Sequence, residues 1–88
     1  MPEIIKVKHV SDYKLLIRFK NGKQGTVDFK EYLNKGPVFL KFKDINFFKK
    51  YYIDPETKVL CWPGGVDIDP DTLYHKATGT PLPVWMEN

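Results

Sequence analysis

The sequence predicts a small α+β domain on antiparallel strands: a three-stranded meander, a second hairpin, and two or three short helices. Three observations carry this expectation. Residues 13–20 alternate apolar and polar with a period of two, as a half-buried strand does. Ser11-Asp12, Asn21-Gly22 and Pro55-Glu56-Thr57 interrupt apolar runs at hairpin spacing. Short segments that open on an aspartate and close near glycine or lysine read as capped helices.

The elements follow in order. Residues 4–10 and 13–20 are two strands joined by a turn at Ser11-Asp12. In the second, Tyr13, Leu15, Ile17 and Phe19 share one face. Lys14, Arg18 and Lys20 share the other, with Leu16 as the exception. Asn21-Gly22 marks the next hairpin. A two-residue loop would set Leu15 opposite Asp28 and Ile17 opposite Thr26. A three-residue loop, Lys20-Asn21-Gly22, sets Leu15 opposite Val27 and Tyr13 opposite Phe29. The second register keeps apolar side chains together and is the one expected, with Gly22 at positive φ.

Asp28 is placed to cap a short helix, with Glu31 reaching back to the cap amide. Phe29, Tyr32 and Leu33 form its apolar side, and Gly36-Pro37 ends it. Val38, Phe39, Leu40 and Phe42 follow as an apolar connector. Asp44 caps a second short helix holding Ile45, Phe47 and Phe48, and Lys49 and Lys50 suit its negative end. Residues 51–54 and 58–62 form the second hairpin. Asp69-Pro70 opens a third helix, aspartate at the cap and proline at the first helical position. Leu73 and Tyr74 lie on that helix, and Gly79 stops it. Residues 1–78 make one domain. Residues 79–88 form an extended tail, because Pro81 and Pro83 exclude helix.

Composition narrows the function. Net charge is +3, but residues 1–50 carry +7 and residues 51–88 carry −4. That split is able to steer a charged partner, but lysines that simply keep strand surfaces soluble are the favoured reading. Thirteen of the fourteen basic residues are lysine and only Arg18 is arginine, which argues against base-specific DNA readout, since arginine is the usual reader of guanine edges. No apolar run reaches the roughly eighteen residues of a membrane helix. The first residues lack the basic-then-apolar layout of a signal peptide, and one cysteine, Cys61, excludes an intrachain disulfide. A cytoplasmic protein with no membrane association is expected.

Candidate chemistry concentrates in residues 60–74. Asp67, Asp69 and Asp71 have the spacing that opens a calcium loop, without the glycine and glutamate that should follow. His75, four residues after Asp71, makes a mixed Asp/His metal site conceivable. The competing reading is helix-start chemistry: Asp69 as cap, Asp71 against the dipole, Asp67 in the preceding turn. It explains each residue separately and is favoured. Gly64-Gly65 suggests a phosphate loop, but no Gly-Lys-Ser/Thr follows and three carboxylates would repel phosphate. Cys61 as a nucleophile with His9 or His75 as base lacks a legible oxyanion arrangement, so it reads as a small buried hydrophobe. Tyr51, Tyr52, Trp62 and Tyr74 are either a stacking platform or core; core is the expectation. Val84 and Trp85 in the tail dock either on their own domain or on a neighbour.

The blocks Phe19-x-Asn21-Gly22-Lys23 with Val27-Asp28, Gly36-Pro37-Val38-Phe39, Asp44 with Phe48, and Trp62-Pro63-x-Gly65-x-Asp67-Ile68-Asp69-Pro70-x-x-Leu73-Tyr74 resemble the bacterial family catalogued as domain of unknown function 2442. The resemblance spans residues 4–76, and the last block is its most specific part. It implies a small antiparallel α+β fold and no reaction. Some similar proteins carry a fused helix-turn-helix, and some lie beside a second small protein in toxin–antitoxin-like gene pairs. The stretch after residue 76 is too short for such a DNA-reading domain.

Sequence reasoning therefore expects a non-enzymatic protein without cofactor, binding another small protein or itself as a regulatory, antitoxin-like module. Lys14, Arg18 and Lys20 on the strand surface, with Val84 and Trp85, are the expected contacts. Two alternatives stand beside it: nucleic-acid binding through the lysine-rich first half, and a metal-dependent enzyme using Asp67, Asp69, Asp71 and His75.

Overall fold

The computed structural model describes residues 2–79. Three strands, β1 (Ile4–Ser11), β2 (Lys14–Phe19) and β3 (Gln24–Asp28), form an antiparallel meander in the order β1-β2-β3. Two 3-10 segments follow, Lys30–Asn34 and Pro37–Lys43, and then a one-turn helix α1 (Ile45–Phe48). A second antiparallel sheet is built from β4 (Tyr52–Ile53), β5 (Leu60–Trp62) and β6 (Val66–Asp67). Helix α2 (Pro70–Thr78) closes the described chain.

The β2–β3 register is the one that apolar pairing favours. Leu15 lies opposite Val27 and Arg18 opposite Gln24, and the Phe29 N–H donates to the Tyr13 carbonyl at 2.8 Å. The loop is Lys20-Asn21-Gly22: the Gly22 N–H donates to the Phe19 carbonyl, the Phe19 N–H to that of Lys23, and Gly22 sits at φ +89°. The Asn21 side chain accepts the Lys23 N–H. The β1–β2 turn falls one residue later than expected, at Asp12-Tyr13. Ser11 pairs with Lys14, and Asp12 takes the positive φ of +43°, which a short polar side chain tolerates.

The helical expectations divide. Asp44 caps α1 through the Asn46 N–H, and Asp69 caps α2 through the Thr72 N–H. Gly79 ends α2 in the left-handed conformation, its N–H donating to the His75 carbonyl. Asp28 accepts the Lys30 N–H at 3.0 Å, but the turn it opens is 3-10. Glu31 does not reach back to the cap; it pairs with Lys76 of α2 instead, because the segment is a 3-10 turn whose cap position is Phe29 and not Asp28, which breaks the capping-box spacing. The apolar connector is itself 3-10 helical. Its 3.0-residue repeat turns Phe39 and Phe42 to one side, leaving Val38 and Leu40 exposed. The second hairpin gains a third strand, β6, because Gly64 and Gly65 at φ +89° and +81° fold the chain back on β5.

The core is one cluster. The inner face of the meander supplies Ile4, Leu15, Ile17, Phe19 and Val27, all buried. Against it pack aromatic rings centred on Trp62, with Phe42, Phe48 and Phe29 at ring-centroid distances of 4.6, 5.8 and 5.9 Å. The Trp62 indole N–H, fully buried, donates to the Phe48 carbonyl at 2.7 Å, so this large side chain carries no unpaired donor into the core. That carbonyl ends α1, which ties the helix to β5.

Candidate functional site: the basic outer face of the meander

Every buried residue of the meander lies on its inner face, and the outer face is left to solvent. Three cross-strand rows compose it: Lys6–Arg18–Gln24, Lys8–Leu16–Thr26 and Ser11–Lys14–Asp28. All are exposed except Leu16, which is half-buried at the centre. Strands stand about 4.8 Å apart and same-face residues about 6.7 Å apart along each. Four cations therefore ring one leucine.

The face depends on two register shifts in β1, one between Ile4 and Lys6 and one between His9 and Ser11. With strict alternation, Ile4, Lys6 and Lys8 would share a side. The extra residue Ile5 breaks the alternation, so Ile4 points into the core while Lys6 and Lys8 point out. Val7 and His9 return inward, opposite Ile17 and Leu15. The residues at the shifts, Ile5 and Val10, are each 53% exposed.

Electrostatically the face is unbalanced. Lys6 and Arg18 are directly opposite each other, a like-charge pair that weakens a sheet. Among the described residues no carboxylate comes within ion-pair distance of Lys6, Lys8, Lys14 or Arg18; the ion pairs join Lys20 to Glu3 at 3.4 Å and Lys76 to Glu31. Asp28 is the one acidic residue of the three rows.

Of the expected contact residues, Lys14 and Arg18 belong to this face. Lys20 does not: it stands in the β2–β3 loop, where its N–H donates to the Glu3 carbonyl and its ammonium pairs with the Glu3 carboxylate. Val84 and Trp85 lie outside the described residues. Lys6 and Lys8 complete the face. Their alternation in the sequence was a signal, but the shift at Ile5 that sets their direction was not.

The other candidates do not converge. Asp67 ends β6 opposite Cys61 and is exposed. Asp69 spends its carboxylate on the Thr72 N–H and hydroxyl, at 2.9 and 3.1 Å. Asp71 stands in the first turn of α2 and His75 in the last. Among the described residues no three His, Cys, Asp or Glu side chains gather as a metal-holding group. Gly64-Gly65 leads into strand β6 and not into a helix, so the strand–loop–helix order of a phosphate loop is missing. Cys61 is half-buried, its thiol 3.5 Å from the Val59 carbonyl; burial first, then the charges of Asp67 and Asp54, push its pKa up, away from a reactive thiolate. The aromatics follow the expected core role except at Tyr52, and no platform forms among the described residues. Trp62 is buried, the Tyr51 hydroxyl accepts the His9 N–H, and the Tyr74 hydroxyl accepts from Asn21, leaving Tyr52 as the exposed ring. A shallow depression of about 370 Å3 lies between the start of β1 and the β4–β5 turn, with Glu3 and Lys58 as its charged lining.

These features define a class: a small α+β domain of two three-stranded antiparallel sheets, with an open basic sheet face and no helix long and apolar enough to cross a membrane among the described residues. The chain belongs to the family described as protein of unknown function (DUF2442), whose model matches residues 4–79. No curated protein and no solved structure matches it.

Proposed function

We propose that this protein is a non-enzymatic binding module, a regulatory partner of the antitoxin-like kind, that docks an acidic surface of another protein on the outer face of its meander. One observation carries the reading. Lys6, Lys8, Lys14 and Arg18 surround Leu16 on an exposed sheet face, with no carboxylate paired to them among the described residues. Repulsion between such neighbours is relieved when a partner brings carboxylates, and Leu16 supplies a small apolar centre inside a charged rim. The face carries no aromatic ring for base stacking, which favours a protein partner over single-stranded nucleic acid.

The test is co-purification from the native host with wild type and with a Lys6→Glu/Lys8→Glu/Arg18→Glu variant. The expected outcome is one acidic protein, retained after nuclease treatment, whose affinity falls at least roughly tenfold in the variant. If the captured material is nucleic acid, with affinity falling steeply as salt rises, the protein-partner reading is wrong. A partner that binds wild type and variant alike places the interface elsewhere.

A further inference from the structure

The two edges of the meander are built differently. Along β1 the backbone is occupied: the Ile4 N–H donates to the Lys58 carbonyl at 3.2 Å and the His9 N–H to the Tyr51 hydroxyl at 3.0 Å. Register shifts at both ends and two lysines further blunt that edge, the usual defence against strand addition. Strand β3, Gln24-Gly25-Thr26-Val27-Asp28, has no lysine, no proline and no register shift.

Its hydrogen-bond parity is fixed by its ends. The Phe19 N–H donates to the Lys23 carbonyl and the Phe29 N–H to that of Tyr13. Residues 23, 25, 27 and 29 therefore turn their backbone groups toward β2, and antiparallel alternation turns those of Gln24, Thr26 and Asp28 away from it. Among the described residues none of these three makes a backbone hydrogen bond beyond the β2–β3 ladder, and all three are exposed.

We infer that this edge pairs antiparallel with the same strand of a second copy of the chain, about a two-fold axis at Thr26. In that register Thr26 meets Thr26, and Gln24 meets Asp28 in both directions. Every outward N–H and carbonyl of the three residues then has a partner. Thr–Thr and Gln–Asp are favourable cross-strand neighbours. The row Lys6–Arg18–Gln24 continues into Asp28–Lys14–Ser11 of the second copy, so each end of the seam brings a carboxylate beside Gln24, two strands from Arg18. Moving the axis to Asp28 would set two carboxylates face to face, which selects Thr26. The result is a continuous sheet that joins the two basic faces. A five-residue seam buries less than the roughly 1,600 Å2 of a standard stable interface, so the association is reversible and concentration-dependent.

Sedimentation equilibrium of the full chain from about 10 μM to 1 mM tests this independently of any other partner. Wild type is expected to move from monomer to dimer across that range. Thr26→Lys sets two ammonium groups opposite each other at the axis and raises the dissociation constant at least roughly tenfold. Thr26→Pro deletes an outward N–H while leaving the β2 ladder intact, and holds the chain monomeric. Amide hydrogen exchange on wild type supplies a readout that needs no variant: Thr26 and Asp28 slow as concentration rises. A wild type that stays monomeric at about 1 mM overturns the inference. So does a dimer whose strength neither variant changes, or one that leaves these amides unprotected. An acidic strand from another protein as the true occupant would show as a monomeric wild type whose capture of that strand is strengthened by Thr26→Lys, and it too overturns the self-pairing.

Discussion

A methyl group added at Gly25 tests the seating of α2. Gly25 lies on the inner face of β3, opposite Ile17. A Cβ there would stand 1.7 Å from the Ala77 carbonyl oxygen and 2.6 Å from its carbon. An acceptable carbon–oxygen contact is about 3.3 Å, so the peptide of Ala77 has to withdraw by roughly 1.5 Å. It cannot do so alone. The same helix carries Leu73, fully buried, and Tyr74, whose ring meets Phe19 edge-on at 4.9 Å and whose hydroxyl holds Asn21 at 2.9 Å. Strand propensity pushes the other way, since alanine exceeds glycine by about 0.5–1 kcal/mol. Steric cost wins, because the obstacle is backbone and not the end of a flexible side chain. Gly25→Ala is expected to cost about 2–4 kcal/mol, out of a total of roughly 4–13 kcal/mol for a chain this long. The melting temperature falls by about 10–25 °C. Urea and thermal unfolding followed by far-ultraviolet circular dichroism read this, with the urea slope unchanged. Gly22→Ala is the internal control: nothing lies within 4 Å of its Cβ, so it pays only for its positive φ, about 1 kcal/mol. If Gly25→Ala proves no worse than Gly22→Ala, Ala77 does not close over β3 and this account of α2 fails.

Three further outcomes are expected. Asp69→Ala loses the cap on Thr72 and costs about 1 kcal/mol, whereas Asp67→Ala stays within about 0.5 kcal/mol; equal large losses in urea unfolding, together with a stoichiometric ion in the purified protein, would restore a metal role for the aspartates. Glu31 has its pKa lowered, chiefly by the hydrogen bond from Lys76 and against the opposing effect of burial. A depressed folded value means the contribution is present above the ordinary value of 4.5 and disappears as pH falls through the folded one. Glu31→Gln should therefore remove a contribution of less than about 1 kcal/mol at pH 7, small because the carboxylate is 44% exposed, and flatten the loss of stability below about pH 4.5; an unchanged acid limb in pH-dependent urea unfolding contradicts this. Cys61 should react with iodoacetamide at pH 7.5 at least roughly tenfold more slowly than an unstructured thiol, and equally fast once unfolded in urea.

Much of the fold was legible because its determinants are local. The β2–β3 register follows from setting Leu15 against Val27, and both α-helix starts follow from aspartates that accept an N–H within three residues. What escaped was non-local or depended on the third dimension. Strand β6 is two residues long, too short for any periodic signal; it exists because β5 offers an edge and two glycines turn the chain toward it. Residues 37–43 look like an apolar connector because a 3-10 turn repeats every three residues, a period that neither strand nor α-helix patterning detects. Gly25 gives no sign that it is obligatory, since the atom that forbids a side chain lies fifty-two residues later, in Ala77. Glu31 fitted a capping box by spacing, yet its partner, Lys76, comes from α2.

The basic face illustrates a deeper limit. Read with strict alternation, β1 offers two unsatisfactory choices. Either Ile4 is buried together with Lys6 and Lys8, or the lysines face water and Ile4 is lost from the core. One extra residue at Ile5 removes the conflict. It lets the strand bury Ile4 opposite Phe19 and then present Lys6 opposite Arg18. The cost is an exposed isoleucine and a pair of adjacent like charges. Folding alone does not ask for that pair, because a single acidic residue at position 6 or 18 would turn repulsion into attraction worth up to about 1 kcal/mol. A strand that gives up regularity to gather cations, and gathers them where they repel, supports the proposed docking of an acidic partner. That separates this face from the aspartates of residues 67–71. Asp69 is answered within the fold by Thr72, whereas Lys6, Lys8 and Arg18 have no acidic cross-strand neighbour.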